Sequence, residues 1–186
     1  MPALKSALVE GQRVYLRKPV PRDAKAFCAA VRASRSLHRP WTHPPATPSE
    51  FSALLVRSRR PAFKTLLVCR IEDDAIAGVF DLSQIFRGVF QSAYMGYYAL
   101  APYARHGYMR EGLQLALRFA FLQLRLHRVE ANIQSANRRS IALVRRGGFR
   151  REGFSPRYLK IGGRWRDHER WALLSEDWKT RRRRPR

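Results

Sequence analysis

The chain has 186 residues, 45% of them hydrophobic, enough for one buried core and too few for two ordinary domains. No run approaches the ~18 consecutive apolar residues of a membrane span, and no basic stretch followed by an apolar block opens the chain, so a cytoplasmic protein without membrane contact is expected. Its 37 Lys and Arg against 14 Asp and Glu give a net charge of +23, which favours an anionic partner such as RNA, a ribosome or a phosphorylated cofactor over a cationic one.

Six basic residues and no acid fall in Lys179–Arg186, read as a tail following a single domain over 1–178. Without them the remainder is still strongly cationic. Cys28 and Cys69 form neither a disulfide framework nor, with the scattered histidines, a zinc pattern, so both are expected to be reduced core thiols and no metal is expected.

In chain order, Arg13 to Arg17 alternates as a short strand, and Pro21-Arg22-Asp23 opens a helix carrying Phe27, Ala30 and Val31. Leu37-His38-Arg39-Pro40-Trp41, with Pro44, Pro45 and Pro48 behind it, reads as a loop that breaks this helix. Another helix starts near Pro48-Ser49. Thr65–Ile71, Ala75–Ile85 and Gln91–Leu100 read as three strands, with turns at Asp73-Asp74 and Arg87-Gly88. Met109, Leu113, Ala116, Leu117, Ala120, Phe121 and Leu124 then recur at helical spacing. His127–Gln134 alternates, Val129, Ala131 and Ile133 on one face, Glu130, Asn132 and Gln134 on the other. Strand, helix, strand implies a parallel pair joined by a right-handed crossover. A short helix over Arg138–Arg146 is capped by Asn137 and ended by Gly147-Gly148. Two strands, Phe149–Ile161 and Trp165–Leu174, close a hairpin at Gly162-Gly163.

Tyr103-Ala104-Arg105-His106-Gly107-Tyr108-Met109-Arg110 lies between a strand end and the first turn of the long helix. Amides in such a turn have no partner within the helix, and the helix dipole favours an anion there. Gly107 lets the chain approach a pyrophosphate, and Arg105 and Arg110 can add charge-assisted bonds. Taken alone, a glycine at such a turn more often serves backbone conformation only.

Several blocks occur together in a characteristic order. They are Gly96-Tyr97-Tyr98-Ala99-Leu100, His106-Gly107-Tyr108-Met109-Arg110-Glu111, His127-Arg128-Val129-Glu130-Ala131-Asn132 and Asn137-Arg138-Arg139-Ser140. Gly148-Phe149-Arg150-Arg151-Glu152-Gly153-Phe154 and Gly163-Arg164-Trp165-Arg166-Asp167-His168 follow, and Pro40-Trp41 precedes them all. With these the chain resembles the GNAT superfamily of acyltransferases over nearly its whole length, in particular the RimJ-like and RimL-like ribosomal-protein-alanine N-acetyltransferases. The resemblance implies an α/β fold with a mixed, mostly antiparallel sheet, a splayed central parallel strand pair and helices on both faces. It departs at Ala104, where the superfamily usually has Gln or Arg, and Arg105 is expected to supply the missing charge.

The resemblance further implies acetyl-CoA as cosubstrate and direct transfer to an amine. Ala99, Leu100, Arg105, His106, Gly107, Tyr108, Met109, Arg110, Asn137 and Ser140 are the expected coenzyme contacts, with an oxyanion donor from the backbone at Ala99-Leu100. Glu130 is the first candidate base, being set apart from the apolar face of its strand, although an ordinary salt-bridged glutamate would look the same. Ser140 is the candidate acid for the leaving thiolate, with helix capping as its rival role. Two catalytic positions used by relatives are here Asn132 and Val144, and a third, acidic in RimL-like proteins, falls at Arg157-Tyr158. Trp41, Tyr158, Asp167 and His168 are expected on the acceptor side. The implied acceptor is the N-terminus of a ribosomal protein, with RNA or ribosome association through the basic surface. The alternatives are a small-molecule amine N-acetyltransferase and a non-enzymatic RNA- or ribosome-binding protein on the same fold.

Overall fold

The computed structural model describes residues 7–183. One eight-stranded sheet in the order β1-β2-β3-β4-β5-β6-β8-β7 runs through it. Its strands are β1 (Val9–Glu10), β2 (Val14–Arg17), β3 (Lys64–Arg70), β4 (Ile76–Ser83), β5 (Ser92–Ala99), β6 (Arg128–Ile133), β7 (Arg150–Ile161) and β8 (Arg164–Leu174). Every neighbouring pair is antiparallel except β5 and β6, which run parallel. This is the mixed sheet with one central parallel pair that the sequence implied.

Alternation along the strands builds two cores on opposite faces. On one, Val14, Leu16, Leu66, Val68, Phe80, Leu82, Val129 and Ala131 meet Leu113, Ala116 and Leu117 of helix α4 (Tyr108–Arg118). On the other, Tyr15, Leu67, Cys69 and Val79 meet Phe27, Cys28 and Val31 of α1 (Ala24–Ala33) and Phe51 and Leu54 of α3 (Pro48–Ser58). Both cysteines are buried free thiols, and burial pushes the Cys69 thiol up to about 12, so it stays protonated.

Local chemistry sets the helix ends. Thr47 caps α3 by accepting from the Glu50 amide at 3.3 Å, while the Glu50 carboxylate accepts from the Thr47 amide at 3.0 Å, and Pro48 opens the helix. The long periodic stretch is α4 followed by one wider turn over Phe119–Gln123, where the Leu124 amide reaches back five residues to Phe119 at 3.0 Å. Helix α5 (Arg138–Gly147) ends at Gly148 with φ 101°.

Besides the two-residue β1, two elements were not read from the sequence. Arg35–His38 forms one helical turn, α2, inside the segment read as a loop. The sequence tail begins within a helix, α6 (Ser175–Arg183), which seats Trp178 5.4 Å from the Phe121 ring, while residues 184–186 lie outside the described part. Among the described residues no helix is long and apolar enough to cross a membrane.

Candidate active site

The parallel pairing of β5 with β6 covers Ser92–Tyr94 against Arg128–Glu130 and goes no further. Beyond it the two strands part. The Leu100 amide donates to the Ala77 carbonyl of β4 at 2.9 Å, so by strand alternation the N–H and C=O of Ala99 point the other way, into the gap. The gap opens into a cleft of about 740 Å3 between the end of β5, the turn before α4, the start of α5 and the α2–Trp41 segment.

The turn is held from behind. Gly107 sits at φ 84° and Arg105 at φ 69°, which folds the chain sharply into α4. Arg13 donates to the His106 carbonyl at 3.0 Å and lies 4.4 Å over the Tyr108 ring, and the Glu111 carboxylate accepts the Gln12 and Arg13 amides at 2.6 and 2.8 Å. The amides of Arg110 and Glu111 return to the Gly107 carbonyl, whereas among the described residues those of Gly107, Tyr108 and Met109 have no protein acceptor. Three adjacent free donors at a helix start form an anion cradle. Arg105, Arg110, Arg138, Arg139 and Arg146 line the same cleft, and no Asp or Glu does. The residues present therefore fit a phosphorylated ligand.

Asn137 and Ser140 reach the cleft from the opposite side. The Asn137 side chain accepts from the Ser140 amide at 3.2 Å and caps α5. The Tyr97 hydroxyl donates to the Ser140 carbonyl at 3.0 Å, tying α5 to β5, and burial holds that phenol neutral. With its backbone used in this way, the Ser140 hydroxyl is left for a ligand. Trp41 lines the cleft too, and its carbonyl accepts from Gln134 at 3.3 Å.

Not every expected residue comes to this cleft. Leu100 is fully buried in the α1–α3 core and its amide is spent on β4, which leaves Ala99 as the donor facing the gap. His106 points away, its Nδ1 2.8 Å from the Ala104 carbonyl and its ring stacked on Tyr108. Glu130 lies outside the lining. Its carboxylate takes Arg128 Nε at 2.8 Å, and it pairs with Tyr94, five residues and so ~16 Å of extended chain before Ala99. Tyr158, Asp167 and His168 sit on the β7–β8 hairpin. There Asp167 accepts the Arg157 amide at 2.7 Å, bracing a bulge that sets Tyr158 6.1 Å from the His168 ring. His168 is buried, which lowers its pKa.

Tyr97, the α5 arginines and His38 line the cleft as well, beyond the site residues expected from the sequence. Their signal was present only in part. Tyr97 belongs to the Gly96-Tyr97-Tyr98-Ala99-Leu100 block, and Arg138, Arg139 and Arg146 are three of four arginines in a ten-residue helix with no acid. Nothing in sequence spacing links His38 to Ala99, yet its Nε2 lies 2.8 Å from the Ala99 carbonyl oxygen.

The [Ribosomal protein uS5]-alanine N-acetyltransferase of Escherichia coli is 38% identical over 107 residues, 58% of this chain and 55% of that protein. The chain spans little more than half the length of the curated relatives it matches. Mycobacterium smegmatis RimJ, solved in complex with CoA-disulfide, superposes with a TM-score of 0.81 at 26% identity, covering 88% of this chain and 83% of that one. The spermidine N-acetyltransferase of Vibrio cholerae, solved with CoA and spermine, shares the fold at 20% identity, with a TM-score of 0.77 over 91% of this chain and 99% of that one. Residues 13–150 match the family model of the acetyltransferase (GNAT) domain, and the chain belongs to that family.

Proposed function

We propose that the protein is an acetyl-CoA-dependent N-acetyltransferase that acetylates the N-terminal α-amino group of a ribosomal protein by direct transfer. The observation that carries this reading is the cleft itself: three free helix-start amides and five arginines, with no carboxylate, beside an unpaired strand end. Acetyl-CoA supplies the acetyl thioester and carries the phosphates that such a surface suits.

In this reading the amides of Gly107, Tyr108 and Met109, with Arg105 and Arg110, hold the pyrophosphate. The Ala99 amide donates to the thioester oxygen as negative charge develops there. Asn137 contacts the pantetheine arm while capping α5, and the Ser140 hydroxyl gives a proton to the departing thiolate, which needs only a weak donor because a thiol pKa is about 8.5. Trp41 bounds the acceptor side. Tyr158, Asp167 and His168 belong to a hairpin that an acceptor protein larger than a short peptide would touch. The basic surface suits ribosomal RNA around such an acceptor. A polyamine would instead meet five arginines in the cleft, which is unfavourable for a cation.

The test incubates the protein with acetyl-CoA and, separately, peptides beginning with alanine and free spermidine, with products read by mass spectrometry. Acetylation at the peptide α-amine is expected, with little on spermidine. Turnover of spermidine alone would replace the protein acceptor by a small amine. Acetyl-CoA binding without transfer to any amine would reduce the protein to a binding module.

A further inference from the structure

We infer that His38 accepts the proton lost by the acceptor amine during acetyl transfer. The inference rests on the acetyl-transfer reading above and assigns the base that reading lacks. Acetyl transfer to an α-amine with pKa near ~8 needs a neutral amine and a place for its proton, which a modest base supplies.

Elimination narrows the choice. The ionisable side chains lining the cleft are five arginines, four tyrosines and His38, with no Asp, Glu, Lys or Cys among them. Arginine stays charged at any working pH. A phenol, with an ordinary pKa of about 10, does not ionise near neutrality, and burial raises the Tyr97 and Tyr98 hydroxyls further. His38 is the one lining side chain that exists as a proton acceptor around pH 7.

Geometry supports the same choice. His38 ends α2 at 4% exposure, and its Nε2 lies 2.8 Å from the Ala99 carbonyl. A carbonyl only accepts, so Nε2 carries the hydrogen and Nδ1 keeps its lone pair. Among the described residues no side chain or backbone group hydrogen-bonds Nδ1. Ala99 thus fixes the imidazole tautomer through its C=O and offers its N–H to the same gap. Tyr98 of β5 meets the ring edge-on at 5.4 Å, and on α2 itself the charged neighbour is the exposed Arg35. Burial lowers the His38 pKa from its ordinary value, the Ala99 hydrogen bond opposes this, and no charged side chain contributes, so the neutral, proton-accepting ring is favoured.

The step balances. The amine nitrogen attacks the thioester carbonyl carbon and the C–N bond forms. Nδ1 takes one proton from that nitrogen, the C–S bond breaks, and the thiolate takes a proton from Ser140 or solvent. The imidazolium then returns its proton to solvent, and where Ser140 was the donor its hydroxyl is reprotonated from solvent, so the products are the amide and the free thiol.

A histidine in this place could instead only anchor α2 to β5, and His38→Gln separates the two roles. Its amide can still donate to Ala99 but cannot accept a proton. Wild type, His38→Gln, His38→Asn and Glu130→Gln are compared by kcat and KM on an alanine peptide from pH 5.5 to 8.5 and by acetyl-CoA affinity from calorimetry. Expected for His38→Gln is affinity within about threefold of wild type, kcat lower by about 100-fold or more, and loss of the acid limb that wild type shows. Glu130→Gln should keep that limb. The inference is overturned if kcat stays within about threefold, if the limb persists in His38→Gln, if Glu130→Gln removes it, or if both His38 variants lose coenzyme affinity in step with kcat. A wild type that transfers to no amine sinks the enzyme reading itself, whereas an active wild type with an equally active His38→Gln sinks this assignment alone.

Discussion

Gly107 shows how a single residue can serve by its backbone rather than by the space it leaves. At φ 84° it lies where an L side chain is strained, but an added Cβ would find only Arg13 Nη1 at 3.7 Å. Gly78 is the reverse case, since its Cβ would press on the Tyr98 carbonyl at 2.8 Å and on Met109. Gly107→Ala should therefore cost about 1–2 kcal/mol through conformation alone. Because relaxation of that strain turns the free amides, acetyl-CoA affinity should fall as well. Chemical denaturation and calorimetric titration measure the two effects. Unchanged affinity beside the expected stability loss would show that the turn does not hold the phosphates.

At the level of elements, α5 combines a cap with a binding surface, and two substitutions at Asn137 pull these apart. Asn137→Ala removes the acceptor of the Ser140 amide and should cost about 1 kcal/mol. Asn137→Asp keeps that acceptor and suits the helix dipole, but sets a negative charge among five arginines where phosphates are proposed to bind. Thermal melts should show Asp near wild type and Ala below it, with acetyl-CoA affinity reduced most in Asp. Full affinity in the Asp variant would leave Asn137 a cap only. Much of this layer was legible in the sequence, because helical spacing, Gly107, the Asn137 cap and the Gly162-Gly163 turn are all local signals. What escaped is non-local or masked. Pro40 and its neighbours hid the single turn of α2, and the run of arginines hid α6, which seats Trp178 on Phe121. Alternation placed Glu130 on the correct face of its strand but says nothing about distance along it. His38 and Ala99 are 61 residues apart, so their pairing exists only in the folded chain.

Taken whole, the molecule holds far more positive charge than its acids can neutralise. With 37 basic and 14 acidic residues, most arginines have no carboxylate to pair with, and their mutual repulsion opposes compaction. Salt should then stabilise the fold. Raising NaCl from ~20 to ~300 mM shortens the screening length from about 20 to about 6 Å, and a melting point higher by about 3 °C, equivalent to roughly 1 kcal/mol, is expected. A polyanion such as heparin should reproduce the shift at far lower concentration. A melting point that is flat or falls with salt would mean that the charge is spread too thinly to matter. The parting of β5 and β6 has a counterpart at this scale. Unpaired amides on an outer strand invite any passing chain, and the fold's outer edges are guarded by a two-residue β1 and by a β7 interrupted by Pro156 and a bulge. The unpaired stretch of β5 faces a gap between two interior strands instead, away from the edges that a strand of another chain would join. The fold thereby offers one docking edge away from the outer strands through which sheets join edge to edge.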